Sequence, residues 1–185
     1  SSQDQGQQQV QAQAAGQQGQ QGSDAPSFLL DCALGRLCRW LRCLGVDAQL
    51  APPGLSRPQL AALACEAVSR GRMFLTRDHS LAARRDCAPA APYLLAHDDP
   101  GDQLREVARQ WGITFDTATA MSRCSVCNAA DFRLLPRERA APHVPPKVLA
   151  VVDEFWQCGG CAKVFWMGPK SYSAIHLVEG VLRGG

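Results

Sequence analysis

The chain has 185 residues, which leaves room for one ordinary domain or two small ones and not for three. It contains 46% hydrophobic residues, enough for a buried core, and its formal net charge of +2 is too small to mark it as a strongly basic or acidic protein. No run of 18 consecutive apolar residues occurs, which excludes a transmembrane helix of ordinary length.

The first 22 residues form a low-complexity segment with eleven Gln and four Gly. Such a composition buries too little apolar surface to offset the entropy lost on ordering, so residues 1–27 are predicted to be a disordered, Gln-rich linker. Residues 28–185 hold all 19 Lys and Arg and 15 of the 17 acidic residues, a formal charge of +4. This mild cationic bias is compatible with a nucleic-acid partner but is common in other soluble domains.

Short apolar runs alternate with amphipathic runs over the first part of the remaining chain. Residues 28–31 have the composition of a strand, and leucines at helical spacing from Leu34 to Leu44 predict a helix that Gly45 ends. The further predictions, in chain order, are a strand over 47–50, a helix over 57–69, a strand over 73–76, a short helix over 80–85, an apolar segment over 93–95 and a helix over 101–111. Strands and helices that alternate this closely imply crossover connections. The predicted fold class is therefore α/β, with a mostly parallel sheet in a three-layer arrangement.

The pattern changes after residue 122. Helical periodicity stops over residues 122–170, and four prolines appear, at 136, 142, 145 and 146. This segment is predicted to be a second, smaller unit. Residues 171–185 are expected to be a C-terminal tail with a short amphipathic helix over 172–182.

Two Cys-x-x-Cys pairs lie in the second unit, Cys124 with Cys127 and Cys158 with Cys161, separated by 30 residues. Zinc binds four thiolates in a tetrahedron, and each Cys-x-x-Cys turn supplies two of them. The alternative is a pair of unrelated redox motifs, but such motifs usually occur singly and open a helix after a strand. The spacing therefore favours a structural zinc ion held by all four cysteines in a zinc ribbon.

The other five cysteines are scattered, at positions 32, 38, 43, 65 and 87. The odd total of nine and the absence of a basic-then-apolar signal segment argue against a secreted disulfide framework. An intracellular location, in the cytoplasm or nucleus, is predicted. Because the sequence does not start with Met, it is also expected to be a piece of a longer protein.

Acidic residues follow the predicted strands. Asp31 ends the first strand, Asp78 follows the third, and the loop after residues 93–95 carries three more acids, Asp98, Asp99 and Asp102. Ligands of an open parallel sheet bind outside the carboxyl ends of its strands, so these carboxylates are expected to converge. Converging carboxylates repel one another unless a hard divalent ion lies between them, which predicts a Mg²⁺ or Mn²⁺ site. Taken singly, each Asp is better explained as a helix N-cap or a loop acid.

Arginines lie beside these acids. The helix after Asp31 carries Arg36, Arg39 and Arg42, and Arg77 directly precedes Asp78. One interpretation is an ordinary solvated helix face. The other is an RNA-binding track that guides phosphates to the metal site, because Arg pairs with phosphate through a forked hydrogen bond.

Four motifs in order resemble the Mut-seven C-terminal ribonuclease family, over essentially all of residues 28–170. They are FLLDCALGRLCRWLRCLGVD at 28–47, FLTRD at 74–78, SRCSVCN at 122–128 and FWQCGGCAKVFW at 155–166. The resemblance implies a PIN-like nuclease domain over 28–115, followed by a zinc ribbon over 122–170.

The same resemblance implies metal-dependent cleavage of RNA, with single-stranded RNA as the partner and an upstream DEDD-type 3′-5′ exonuclease domain in the same chain. Asp31 and Asp78 would be ligands of the catalytic Mg²⁺ or Mn²⁺, and the third acid would be Asp98, Asp99 or Asp102, of which Asp102 is the best placed. The loop before the middle helix lacks the acid usual in PIN-like sites, and Glu66 lies two turns into that helix, as expected of a surface acid. A weakened nuclease that acts as an RNA-binding or docking module is therefore the alternative, and a protein-interaction platform is a third possibility.

Overall fold

Four short strands form a parallel sheet in the computed structural model, which describes residues 25–184. In chain order they are β1 (Ser27–Leu30), β2 (Asp47–Leu50), β3 (Met73–Thr76) and β4 (Tyr93–Leu94). The order across the sheet is β2-β1-β3-β4, and all neighbouring strands are parallel. The predicted α/β class with a parallel sheet is confirmed. The predicted linker over 1–27 lies almost wholly outside the described residues.

Helices flank both units of the chain. In chain order they are α1 (Gly35–Cys43), α2 (Arg57–Ser69), α3 (His79–Ala82), α4 (Pro100–Trp111), α5 (Arg137–Ala140), α6 (Pro146–Leu149) and α7 (Pro169–Arg183). Short 3-10 helices occur at Cys32–Leu34, Ala88–Ala90 and Ala141–His143. Over residues 25–184, no helix has both the length and the hydropathy needed to cross a bilayer.

Side chains of the parallel sheet point alternately into two hydrophobic cores. Phe28 and Leu30 of β1 are buried in the first core and Leu29 in the second, as the two-residue repeat of a strand requires. Helices α1, α4 and α7 fill the first core with Leu37, Leu41, Leu104, Val107 and Val178. Helix α2 fills the second with Leu60, Ala61, Ala64 and Ala67. The sheet therefore lies between two helical layers, as predicted.

The C-terminal helix packs on the first core. It was expected over 172–182 and runs from Pro169 to Arg183. Val178 is only 1% exposed there, and Val181 and Leu182 pack against the same core. The chain thus returns from the second unit to cover the parallel sheet.

A second, antiparallel sheet forms the centre of the smaller unit. Its strands are β5 (Phe132–Leu135), β6 (Phe155–Cys158) and β7 (Val164–Phe165), in the order β5-β6-β7. Strands β6 and β7 flank the second cysteine turn, between Cys158 and Cys161. Strand β5 was not predicted, because this run of four residues has two exposed side chains and no alternation typical of a buried strand.

The turn between α1 and β2 requires glycine at position 45. Its φ is +81°, and a Cβ there would lie 2.4 Å from the carbonyl oxygen of Thr119. We expect Gly45→Ala to lower the free energy of unfolding by about 1–2 kcal/mol for the left-handed backbone and by about 1–3 kcal/mol more for the clash. Gly54→Ala is the matched control, since Gly54 has φ +82° with nothing within 4 Å. If urea unfolding shows that the two variants lose the same free energy of unfolding, the clash with the Thr119 carbonyl is contradicted.

Candidate functional site

The four cysteines predicted to bind zinc come together. Within residues 25–184, Cys124, Cys127, Cys158 and Cys161 are the one group of three or more potential metal ligands whose ligand atoms all lie within 4.8 Å of one another. The Sγ atoms of Cys124 and Cys161 are 3.7 Å apart, and those of Cys127 and Cys158 are 3.5 Å apart. Four sulfurs bonded to zinc at about 2.3 Å lie about 3.8 Å from one another, so the cluster fits zinc. All four thiols are free, and these contacts join two turns rather than the two cysteines of one redox motif.

Both cysteine turns have the same backbone form. The N–H of Asn128 donates to the carbonyl of Cys124 and the N–H of Ala162 to that of Cys158, both at 2.9 Å, and both donor residues have positive φ. The N–H of Gly160 also donates to Cys158 Sγ at 3.3 Å. Burial raises the pKa of Cys158, but the backbone N–H groups of its turn outweigh this and lower that pKa to about 7. The turn therefore favours the thiolate, which is the form that binds zinc.

Arg42 joins the first cysteine turn to the parallel sheet. Its Nε donates to the Ala48 carbonyl at 2.8 Å, and its Nη1 donates to the carbonyls of Ser125 and Val126 at 3.1 and 2.9 Å. The side chain is only 6% exposed. The structure thus corrects the prediction that Arg42 belongs to an exposed RNA-binding track, because its guanidinium is buried and donates to three backbone carbonyls.

Asn128 forms a second link between the two units. Its Oδ1 accepts from the Ala48 N–H at 3.1 Å, and its Nδ2 donates to Asp47 Oδ1 at 2.7 Å. Arg72 donates to both oxygens of Asp47, at 2.7 and 3.0 Å. Burial raises the pKa of Asp47, but the hydrogen bonds from Arg72 and Asn128 outweigh it, so the pKa is lowered.

Replacing Asp47 with Asn is expected to destabilise the protein by about 1.5–3 kcal/mol at pH 7, because Arg72 loses an ionised bidentate partner. The folded-state pKa of Asp47 is depressed, so this contribution is complete above the unfolded pKa and is lost as the pH falls through the folded value. The stability difference should therefore be constant from pH 8 to 5 and shrink only below about pH 3.9. Urea unfolding at several pH values measures it, with Asp86→Asn, in an exposed ion pair with Arg84, as the control that changes little. A difference that varies between pH 8 and 5 would contradict this account.

Asp31 and Asp78 meet through a buried hydroxyl. Asp31 follows β1, is 8% exposed, and its Oδ2 accepts from Thr76 Oγ1 at 2.9 Å. The same Oγ1 accepts from the backbone N–H of Asp78 at 3.0 Å. The chain leaves β1 on one side to form β2 and returns on the other to form β3, so these residues lie at the switch point where open sheets bind ligands. Sequence reasoning missed Thr76, although a polar residue that ends an apolar strand two places before Asp78 was a usable signal.

Arg57 is a second residue that sequence reasoning missed. Its Nε lies 2.7 Å from Asp78 Oδ2, and this hydrogen bond is the main reason that the pKa of Asp78 is lowered. The other carboxylate oxygen of Asp78 accepts from the Leu81 N–H at 3.0 Å and caps α3. Asp78 thus remains ionised and also serves the N-cap role considered for it in the sequence.

The acidic loop after β4 leaves the sheet near the same edge, since the Leu95 N–H donates to the Thr76 carbonyl at 3.0 Å. Asp98 forms an ion pair with Arg77. Asp99 caps α4, and Asp102 pairs with Arg105 at 2.5 Å. In the part of the chain that the structure describes, Asp31 and Asp78 form no group with a third potential metal ligand in which all the ligand atoms lie within 4.8 Å of one another.

The remaining predicted residues lie at the surface. Arg36 and Arg39 of α1 are exposed, as is Arg77, so these three arginines are open to solvent. Glu66 is exposed and pairs with Arg70, as expected of a surface acid. A role in RNA binding for the three arginines stays a prediction.

The switch point supplies the type of ligand that a hard divalent ion prefers, although both oxygens of Asp78 already accept hydrogen bonds, from Arg57 and from the Leu81 N–H. Asp31 and Asp78 offer carboxylate oxygens, and Mg²⁺ is usually held by one or two carboxylates together with water and substrate phosphates. Arg57 neutralises part of their charge in this structure.

A known protein family matches most of the chain. The Mut7-C RNAse domain matches residues 26–178, which includes the parallel sheet, the switch-point aspartates and all four clustered cysteines. No curated protein and no solved structure matches the chain. The chain therefore belongs to the Mut7-C RNAse domain family.

Proposed function

We propose that the chain is a ribonuclease module that hydrolyses phosphodiester bonds of single-stranded RNA with Mg²⁺ or Mn²⁺ held by Asp31 and Asp78. The position of Asp31 and Asp78 at the ends of adjacent parallel strands carries the proposal, with the Thr76 hydroxyl bonded both to the Asp31 carboxylate and to the backbone N–H of Asp78. Membership of a family named for RNase activity supports it. We further propose that the module follows a 3′-5′ exonuclease domain in a larger protein, and that it works inside the cell, where free thiols persist.

The bound ion would activate water and stabilise the departing oxygen. The chain itself supplies orientation and charge. Thr76 donates to one oxygen of Asp31 and thereby fixes the plane of that carboxylate. Arg57 lowers the pKa of Asp78, and its half-exposed guanidinium can pair with a phosphate that approaches Asp78.

A third carboxylate from the acidic loop would complete the ion's protein ligands, and we assign it to Asp102 ahead of Asp98 and Asp99. Asp99 is engaged by backbone N–H groups as the cap of α4. Asp102 is held only by the side chain of Arg105, which can turn away when RNA or an ion approaches.

Thr76→Val should lower RNA cleavage by about 10–100-fold, because the isosteric side chain no longer holds Asp31. As a positioning residue, Thr76 should act through metal affinity as well as turnover, so the Mn²⁺ concentration for half-maximal rate should rise. Thr76→Ser keeps the hydroxyl and should restore both values. A Thr76→Val protein with the thermal midpoint, rate and Mn²⁺ dependence of the parent would contradict this role.

The direct test incubates the zinc-loaded chain with an unstructured single-stranded RNA, with Mn²⁺, with Mg²⁺ and without either ion. Cleavage that requires the divalent ion supports the proposal. RNA that is bound and left intact under all three conditions overturns it.

The second candidate is an RNA-binding or docking module that no longer cleaves. Two observations favour it: Asp78 already has a cationic partner in Arg57, and among the described residues the aspartate pair forms no close group with a third potential metal ligand. A protein-interaction platform would differ from both by showing no salt-dependent affinity for RNA.

A further inference from the structure

A groove on the second unit gathers every lysine of the chain. The sequence contains three lysines, Lys147, Lys163 and Lys170, and all three line one groove of about 460 Å³ beside Phe165 and Trp166. Lys147 belongs to α6, Lys163 precedes β7 and Lys170 lies in the first turn of α7. The three side chains therefore come from separate elements to one surface, which is called the lysine groove below.

The charge of the lysine groove is uncompensated. All three lysines are exposed, and the lining of the groove contains neither Asp nor Glu. Among the described residues, no carboxylate lies within 4.0 Å of any of their amines, whereas most arginines of the chain have such a partner. An anionic partner is what such a surface attracts.

Flat aromatic side chains lie beside these charges. Phe165 and Trp166 are half-buried, and the Nζ of Lys163 lies 5.5 Å from the centre of the Phe165 ring. The same two aromatic residues also line a neighbouring apolar cavity of about 280 Å³, together with Phe132 and Trp156. Aromatic rings next to cations form the surface on which unpaired bases stack while the phosphates are neutralised.

We propose that the lysine groove binds a single-stranded segment of the RNA substrate, with phosphates on the three lysines and a base stacked on Phe165. This inference rests on the proposed function, because it identifies where the same substrate is held outside the cleavage site. An acidic peptide would use the lysines but not the aromatic surface, so RNA accounts for more of the groove.

The test measures binding of a fluorescent twelve-nucleotide oligoadenylate to the zinc-loaded full chain, without Mg²⁺ or Mn²⁺ so that no cleavage occurs. Lys163→Gln combined with Lys170→Gln should weaken binding about 10-fold and reduce the slope of log affinity against log salt by about 1.4. The matched control removes two charges from the other unit, Arg70→Gln with Arg85→Gln. It should bind within about twofold of the parent.

A second variant separates stacking from charge. Phe165→Leu should weaken oligoadenylate binding about 10-fold and leave binding of an abasic oligonucleotide of the same length unchanged. Thermal unfolding is followed in parallel. If this variant does not fold, the affinity and salt dependence of the double lysine variant alone test the lysine groove as an RNA site.

Several outcomes overturn the lysine groove as an RNA site. They are equal losses in the lysine variant and in the arginine control, an unchanged salt slope, or displacement of the RNA by polyglutamate at the same charge concentration. These outcomes are distinct from failure of the proposed function. If the lysine variant binds RNA normally and the parent cleaves RNA with Mn²⁺, only the lysine groove is rejected as an RNA site. If RNA binding depends on the lysine groove but no cleavage occurs, only the proposed nuclease activity is rejected.

Discussion

Removal of zinc is expected to unfold the second unit, residues 122–170, while the parallel sheet remains folded. The core of this unit has five buried members, namely Leu135, Ala140, Val144, Phe155 and Val164. So small a core supplies little of the free energy of folding, and a structural zinc site contributes on the order of 10 kcal/mol. Hydrogen exchange measured peptide by peptide, before and after chelation, should show loss of protection confined mainly to residues 122–170.

Cysteine variants test the same expectation without a chelator. Cys158→Ser removes one ligand and should abolish stoichiometric zinc and reproduce the exchange pattern of the chelated protein. Cys65→Ser is the matched control, since Cys65 is a half-buried free cysteine of α2 outside the cluster. Zinc content well below one per chain in protein purified without chelator, or unchanged exchange after chelation, would contradict a structural zinc.

Loss of zinc should also reduce the hydrogen-exchange protection of β2, at the edge of the parallel sheet. The Ala48 N–H of β2 donates to Asn128, and Arg42 holds the carbonyls of Ser125 and Val126. When the first cysteine turn unfolds, these hydrogen-bond partners are lost. The Ala48 amide should therefore exchange faster than the amides of β3, because β3 makes no side-chain hydrogen bond to that turn. This gradient distinguishes coupled unfolding from a general loss of stability.

Replacement of Asp31 or Asp78 is expected to abolish most RNA cleavage. The lost carboxylate would hold the divalent ion, whose charge stabilisation is worth several kcal/mol in the transition state, so a fall of about 10³-fold in rate is expected. Asp31→Asn should remain folded, because the Asn oxygen can still accept from the Thr76 hydroxyl. Asp78→Asn weakens its pairing with Arg57 but retains an oxygen to cap α3.

Glu66→Gln is the control for these variants. Glu66 is an exposed acid on α2 that pairs with Arg70. Its replacement removes the same charge as the aspartate variants, at a site that makes no hydrogen bond with Thr76. Its cleavage rate should lie within about twofold of the parent rate, in keeping with the small effects of surface charges. A comparable loss in Glu66→Gln would point to a general effect of charge and away from a defined carboxylate pair.

The parts of this structure that follow short-range rules were predictable from the sequence. Leu37 and Leu41 recur at helical spacing and are fully buried, and the strands over 47–50 and 73–76 were predicted at their observed bounds. The cysteine cluster was also predictable, because two Cys-x-x-Cys turns have few uses other than a shared metal.

The hydrogen bonds between the two units were not predictable. Arg42 has the sequence context of an exposed helix face, yet the turn more than 80 residues later covers it and takes its hydrogen bonds. Asn128 follows a cysteine and has the sequence context of a turn residue. In the structure its side-chain amide forms hydrogen bonds with the Asp47 carboxylate and the Ala48 N–H. Such pairings depend on where the two units meet, which local periodicity does not encode.

RNA cleavage by the chain is proposed to depend on a divalent ion held by Asp31 and Asp78. The most direct measurement is the rate of cleavage of one unstructured RNA as a function of Mn²⁺ concentration, for the zinc-loaded parent and for Asp31→Asn. The parent rate should rise from zero to saturation, and the Asp31→Asn rate should be about 10³-fold lower at every concentration. Cleavage by the parent without added Mn²⁺ or Mg²⁺, or equal curves for the two proteins, would contradict it.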